Sequence, residues 1–454
     1  MKGEELIEKL LGYATEKLYL AQSDVEYKRL VLRRLLGVKS QGETVSVSVC
    51  DYSAVSSDLR QYLTEHGYET VDEYVRFIFG LLEPLPSTVD KTFKLTKENL
   101  SLSKACDYFK SLLSYGGYLS DVKIEALSQK CDVVGLYSRS GEVENGAVGY
   151  DSPDNRCISF GADDEYLFTL DNSCDFKDQG ALVRADGKSF LLDEKAIDAT
   201  FSFIDYYTDF FVMTEFDSVK ELTCKKFVVA RDILPVGEAT SVATLRSEIY
   251  PDVEVCILNT ATPVIRFSSY NRNTMTKLIC EVLTKWRNYE SDELLYSLTP
   301  KYSPFSLRLL PDGRYSCDLL LCGGENRFTA FDETPLGGLF ANVDESSMRF
   351  GKFILSKSSI EALTEAVKFV MGKEQFDYNA ASKDQKLSPF ADVIAKTMRS
   401  SGIVKDEQKA LSALYENLRQ SVISQLKISD VFNSDGVGVL RLKTFLAHCD
   451  VKQA

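Results

Sequence analysis

Histidine is nearly absent. The 454 residues hold two, His66 and His448, and a single tryptophan, Trp286. Imidazole is the side chain whose ordinary pKa lies near neutrality, so a Ser/His/Asp or Cys/His machine has only these two positions to draw on. Metal sites built on histidine are excluded by the same count, and no metal or other cofactor is expected. No run of 18 apolar residues occurs, which excludes a membrane-spanning helix. Glu4, Glu5 and Glu8 fall where a signal peptide needs its apolar stretch, so a cytoplasmic protein is expected. Blocks of Lys and Arg are also missing, and a net charge of -14 opposes nucleic-acid phosphates; nucleic acid is not expected as a partner. The 11 cysteines contain no CxxC, and the closest pair is Cys317 and Cys322. Without a secretion signal, such isolated cysteines read as small buried hydrophobes.

What is present is the mix of a soluble globular chain, 44% apolar and 26% charged, with enough length for two or three packed units. Residues 1–127 read as a helical region. Ile7, Leu11, Ala14 and Leu18 recur on one helix face, as do Val55, Leu59, Tyr62 and Leu63 before the stop at Gly67. That places His66 in a last helical turn, where a cation suits the helix dipole and a capping role follows. Residues 128–355 change to short strands broken by polar turns, among them EYLFTL, DFFVM and KFVVA. Asp186-Gly187, between LVRA and KSFLL, reads as a type I′ hairpin, and Asp312-Gly313 marks a second strand pair. VEVCILN and TPVIRFS are read as strands followed by a helix whose Met275, Leu278, Ile279, Val282, Leu283 and Trp286 share one face. Residues 356–454 return to helices, expected at 358–371, 389–400 and 406–426. The predicted fold class is α+β: a helical N-terminal region, an antiparallel-rich sheet core with packed helices, and a helical C-terminus.

Motifs with chemical meaning are few. The glycine pairs in LLCGGENRF and ETPLGGLF match neither GxxxxGK[ST] nor GxGxxG and read as turns. FNSDGVGVLRL has Gly436 at the sixth position of a calcium loop, but its first and twelfth positions would be Val431 and Leu442, which cannot ligate. FFVMTEFDSVKELTCKKF, 210–227, reads as strand, polar turn and strand; it offers Cys224, Lys225 and Lys226 and no histidine.

Several stretches, in order along most of the chain, resemble the class II UDP-glucose:hexose-1-phosphate uridylyltransferases of bacterial galactose metabolism. DVEYKRLVLRRLLGV is similar to an RxxLLxLLG-type helix, FIFGLLEPLPSTVDKTF to GLLxPxPSxVxxxF, and ACDYFKSLLSYGGYLSDVKIEAL to ATDYFYxLSxxxxYIRxDRI. YPDVEVCILNTATPVIRFSSYNRNTMTKLICEVLTKWRNYESDE resembles the family's strand, strand and helix leading into LxxWRxYSDE. LRLLPDGRYSCDLLL resembles the stretch after NTITPIAR, TPLGGLF resembles HPxGIF, and ADVIAKTMRSSGIVKDEQ resembles the C-terminal helix. The resemblance implies a histidine-triad-like transferase core, a homodimer, and UDP-sugars and hexose 1-phosphates as ligands.

It also implies a nucleophile that is not there. The family passes a uridylyl group through a histidine of a His-x-His-x-Gln motif. Here FIDYYTDFFVMTEFDSV is similar to the strand before that motif, with Asp217 at its aspartate, and KELTCKKFVVA occupies the motif's place. Ala341 and Val343 likewise stand where GIFHPH would have histidines, and the family's first-half cysteine and NHR-type motifs are not legible. Three readings follow: a divergent member that has lost uridylyl transfer and binds a sugar nucleotide or sugar phosphate; a nucleotidyltransferase using Cys224, Lys225 or Lys226 as nucleophile; and a protein-interaction or regulatory module on a retained fold. Arg266, read as ending a strand beside a helix start, is a candidate phosphate ligand with Arg272 and Lys277.

Overall fold

A computed structural model describes residues 3–39, 51–119, 122–127, 133–140, 156–161, 165–170, 175–218, 223–290, 301–323, 334, 336–341, 345–429, 431–432 and 435–453. The chain divides into two compact units, one of 1–121 with 141–172 and one of 122–140 with 173–454. Val343 lies outside the described residues, and Asp217 is described only as a strand position.

The first unit begins with six helices: α1 (Gly3–Lys17), α2 (Val25–Leu35), α3 (Tyr52–Glu65), α4 (Val71–Leu82), α5 (Pro86–Asn99) and α6 (Leu102–Tyr115). Their starts are written locally. Asp51 and Ser101 accept from the backbone N–H of Ala54 and Lys104, and Pro86 opens α5, where a missing N–H costs nothing. Ile7, Leu11, Leu59 and Leu63 are buried together with Val75 and Phe79 as one core, as the 3.6-residue spacing requires. The next strands, β1 (Lys123–Ala126) and β2 (Gly135–Ser140), belong to the second unit; β3 (Ile158–Phe160) and β4 (Tyr166–Leu170) return to the first as an antiparallel pair.

The second unit is dominated by an antiparallel sheet. Its strands are β5 (Gly180–Arg184), β6 (Phe190–Leu191), β7 (Phe211–Ser218), β8 (Thr223–Ala230), β9 (Ser241–Ser247), β10 (Glu254–Leu258) and β11 (Ile265–Ser269). After a short pair of β12 (Lys301–Tyr302) and β15 (Cys322–Gly323), β13 (Phe305–Leu309), β14 (Tyr315–Leu319) and β17 (Val451–Gln453) complete it in the order β17-β9-β10-β11-β14-β13-β7-β8-β5. Helices α7 (Glu194–Tyr206) and α8 (Arg272–Arg287) lie on one face, shown by Phe201 of α7 against Tyr315 of β14. The stripe foreseen on α8 is buried throughout, and Trp286 donates to the Cys322 carbonyl at 3.1 Å. A smaller sheet pairs β2 antiparallel with β1 and parallel with β16 (Lys352–Leu355). Its Leu136, Phe353 and Leu355 share a core with the C-terminal helices Lys357–Val370, Ala391–Ser401 and Glu407–Ser429. The fold is α+β.

One local expectation is corrected and another is met. Asp186-Gly187 makes a tight turn, with Gly187 N–H on the Arg184 carbonyl, but not a hairpin: β5 and β6 both pair with β8, one after the other along the same edge. Only Gly187 has positive φ, whereas a type I′ turn needs it at both central residues. Leu310-Pro311-Asp312-Gly313 does close the β13–β14 hairpin, with Pro second and Gly313 at φ +84°, a pattern that suits a type I turn better than I′.

Candidate functional site

The ribbon of β7 and β8 is regular up to the pair Glu215 and Lys226, then slips twice. Phe216 faces Cys224, which leaves Lys225 as an extra residue; Ser218 faces Thr223, which leaves Asp217 as another. Bulges of this kind re-aim side chains and often border functional sites. Residues 215–218 and 223–226 are therefore the least regular part of this ribbon.

Among its described side chains, Cys224 and Lys226 are not set up as nucleophiles. Cys224 is fully buried opposite Phe190 and Phe216, and burial pushes its thiol from 9.0 up to about 12, only partly offset by the charge of Arg287. At neutral pH it stays a thiol, not the attacking thiolate. Lys226 is buried and held in an ion pair, its ammonium 3.4 Å from the Glu215 carboxylate. Lys225 is exposed.

The two histidines are spent on helix ends. His66 caps α3, stacks on Tyr62 with ring centroids 3.9 Å apart, and donates Nδ1–H to the Tyr62 carbonyl at 2.8 Å. His448 ends the helix Gly436–His448 and bonds the Thr444 carbonyl in the same way. Arg266 stands near the start of β11 rather than at its end. It grips Asp318 with Nε to Oδ1 at 2.6 Å and Nη2 to Oδ2 at 2.9 Å, so its charge is already matched. Arg272 pairs with Asp205 at 2.7 Å at the start of α8, and Lys277 is exposed on it. These cations do not converge with Cys224.

A different pair does gather beside the ribbon. Arg287, the last residue of α8, and Lys301, the first of β12, line a cavity with Phe216, Tyr302 and Ser303. Its enclosed part is about 10 Å³, room for about one water. Arg287 donates to the Leu192 carbonyl at 2.8 Å, and Lys301 to the carbonyls of Tyr289 and Arg287. Among the described residues neither cation has a carboxylate at ion-pair distance. The C-terminal carbonyls of α8 stabilise both charges without neutralising them. Burial lowers the Lys301 pKa, a further sign of a poorly solvated charge. Behind the cavity Tyr302 accepts from Arg349 at 2.6 Å and packs on Phe216 at 5.6 Å between ring centroids. Sequence reading passed over Arg287 and Lys301: the first sits in the quoted TKWRNYE, but only the fold shows that it has no carboxylate at ion-pair distance among the described residues. The arrangement sets two cations beside room for about one water, and none of its described lining residues is placed to form a covalent intermediate.

The chain is 22% identical, across 98% of both chains, to the galactose-1-phosphate uridylyltransferase of Caldanaerobacter subterraneus subsp. tengcongensis. It is 23% identical to that of Lactococcus lactis subsp. cremoris (strain SK11) over 32% of this chain and 31% of the relative, and 20% identical to that of Fusobacterium nucleatum subsp. nucleatum over 64% and 66%. Among solved structures, yeast Ap4A phosphorylase Apa2 matches 62% of this chain and 89% of its own at 11% identity and a TM-score of 0.35. No protein-family model matches. Along its whole length the chain is thus similar to proteins named galactose-1-phosphate uridylyltransferase.

Proposed function

We propose that this protein is a divergent class II uridylyltransferase that has lost uridylyl transfer and retains binding of a sugar nucleotide or hexose 1-phosphate. The observation that carries this reading is the contrast beside β7 and β8. Arg287 and Lys301 border a cavity with no carboxylate at ion-pair distance among the described residues, while the neighbouring Cys224 is a buried, protonated thiol and no imidazole is near it in sequence. A phosphate needs the first feature, and uridylyl transfer needs the activated nucleophile whose absence is the second. The same reading takes the working protein as a cytoplasmic homodimer.

The rival nucleotidyltransferase reading requires Cys224, Lys225 or Lys226 to attack. Calorimetric titration with UDP-glucose, UDP and galactose 1-phosphate, run beside an assay for glucose 1-phosphate release, separates the two. Binding without release is the expected result, with affinity falling about tenfold or more in Arg287→Ala, the loss of one charged hydrogen-bonding partner. Release that persists in His66→Ala/His448→Ala would overturn the proposal in favour of the rival. Absence of binding would move the search to protein partners.

A further inference from the structure

The face of the large sheet turned away from α7 and α8 carries polar residues on neighbouring strands. Arg266 of β11 stands beside Asp318 of β14, which stands beside Ser306 of β13; one pleat along, Ser268, Ser316 and Arg308 form the parallel row. Both arginines reach the turn Pro235–Glu238, Arg266 to the Val236 carbonyl at 2.8 Å and Arg308 to the Gly237 carbonyl at 3.1 Å. Gly237 leaves room for this, since a Cβ there would come within 2.1 Å of Arg308 Nη1.

The two arginines differ in what neutralises them. Arg266 has Asp318 in a two-pronged pair. Arg308 has no ion pair among the described residues; Asp318 and Glu238 act on it only at longer range, and the Arg266 charge opposes it. Its Nε–H, buried, has no hydrogen-bond partner, and neither has the hydroxyl of Ser316, which is 1% exposed and directly opposite across the β13–β14 ladder. A buried donor and a buried hydroxyl left unpaired at one ladder position lose hydration without return. A water between them would satisfy the hydrogen bonds and leave the guanidinium charge unmatched. An oxyanion supplies both, because its oxygens accept from the guanidinium edge and from the hydroxyl while its charge balances the arginine.

We propose that Arg308 and Ser316 bind a phosphate group on this face of the sheet, separately from the cavity at Arg287 and Lys301. The group is either free phosphate or the phosphate of a sugar phosphate. The test is calorimetric titration of the full chain carrying Arg287→Ala, which removes the other cationic cavity, with inorganic phosphate and then with galactose 1-phosphate. Phosphate affinity is expected to fall about tenfold or more on adding Arg308→Gln and about fivefold on adding Ser316→Ala, the range of charged and neutral hydrogen bonds. Arg308→Lys, which keeps the charge and loses the fork, falls between. Sensitivity to Arg308 for inorganic phosphate alone assigns the site to the free ion; equal sensitivity for the sugar phosphate assigns it to that ligand. If Arg308→Gln does not fold, Ser316→Ala decides alone, since it removes only one oxygen. No phosphate binding, or affinity unchanged by Ser316→Ala, overturns the site without touching the proposal for Arg287.

Discussion

Cys224 was legible as a residue and illegible as an environment. Its place on β8 follows from the alternating pattern, but whether a cysteine there is nucleophile or core depends on what covers it, and Phe190 arrives from another strand. The pKa has a consequence for stability. The folded thiol titrates near 12 and the unfolded one near 9.0, so folding holds the proton more tightly. That contribution is fully present below pH 9.0 and is lost as pH rises toward 12. The midpoint of urea unfolding is expected to fall across this window, and to fall less steeply in Cys224→Ala; equal slopes would show that other groups carry the effect. Arg266 gives the converse lesson. It was read as an open phosphate ligand, but its strand neighbour across the ladder is Asp318, a partner 52 residues away that no local pattern announces.

Among the elements, those whose reason is local were read correctly. The helix α8 follows from six apolar residues on one face and from Asn271, whose side chain accepts from the N–H of Asn273 and Thr274. Asn271→Ala is expected to cost about 1 kcal/mol in urea unfolding, the usual loss for a cap. The strands β10 and β11 and the hairpin at Asp312-Gly313 were equally legible. The turn at Asp186-Gly187 was not, because the same dipeptide serves a tight turn whether the next strand pairs back or moves on. The choice was made by β8, whose edge takes β5 and β6 in succession.

At the scale of the whole molecule, the expected cut at 127 and 355 and the two compact units rest on different criteria. Periodicity reports element type, while the compact units reflect packing. The first unit takes back residues 141–172, and there the reason is visible. Phe168 of β4 packs on Phe109 of α6 at 6.0 Å between ring centroids, Ser159 N–H donates to Asp90 at 2.9 Å, and Arg156 pairs with Glu83 at 3.2 Å, both side chains buried. Removing one member of a buried ion pair strands the other. Arg156→Ala is therefore expected to destabilise this unit by about 3–5 kcal/mol, and Arg156→Met with Glu83→Gln to recover much of the loss. Chemical unfolding of both variants, followed by the far-UV helical signal, checks this; a single-variant loss below about 1 kcal/mol would show the pair to be an ordinary surface bridge.

The sequence by itself determined the α+β class, the start of α8, the burial of Trp286 and the shortage of histidine. Each of these depends on residue type or on spacing within one element. Only the tertiary structure decided that Cys224 is core, that Arg266 is matched while Arg308 has no ion pair among the described residues, and that Arg287 and Lys301 stand together at one cavity. Charge compensation and desolvation depend on which strands become neighbours. In an antiparallel sheet those neighbours come from distant parts of the chain.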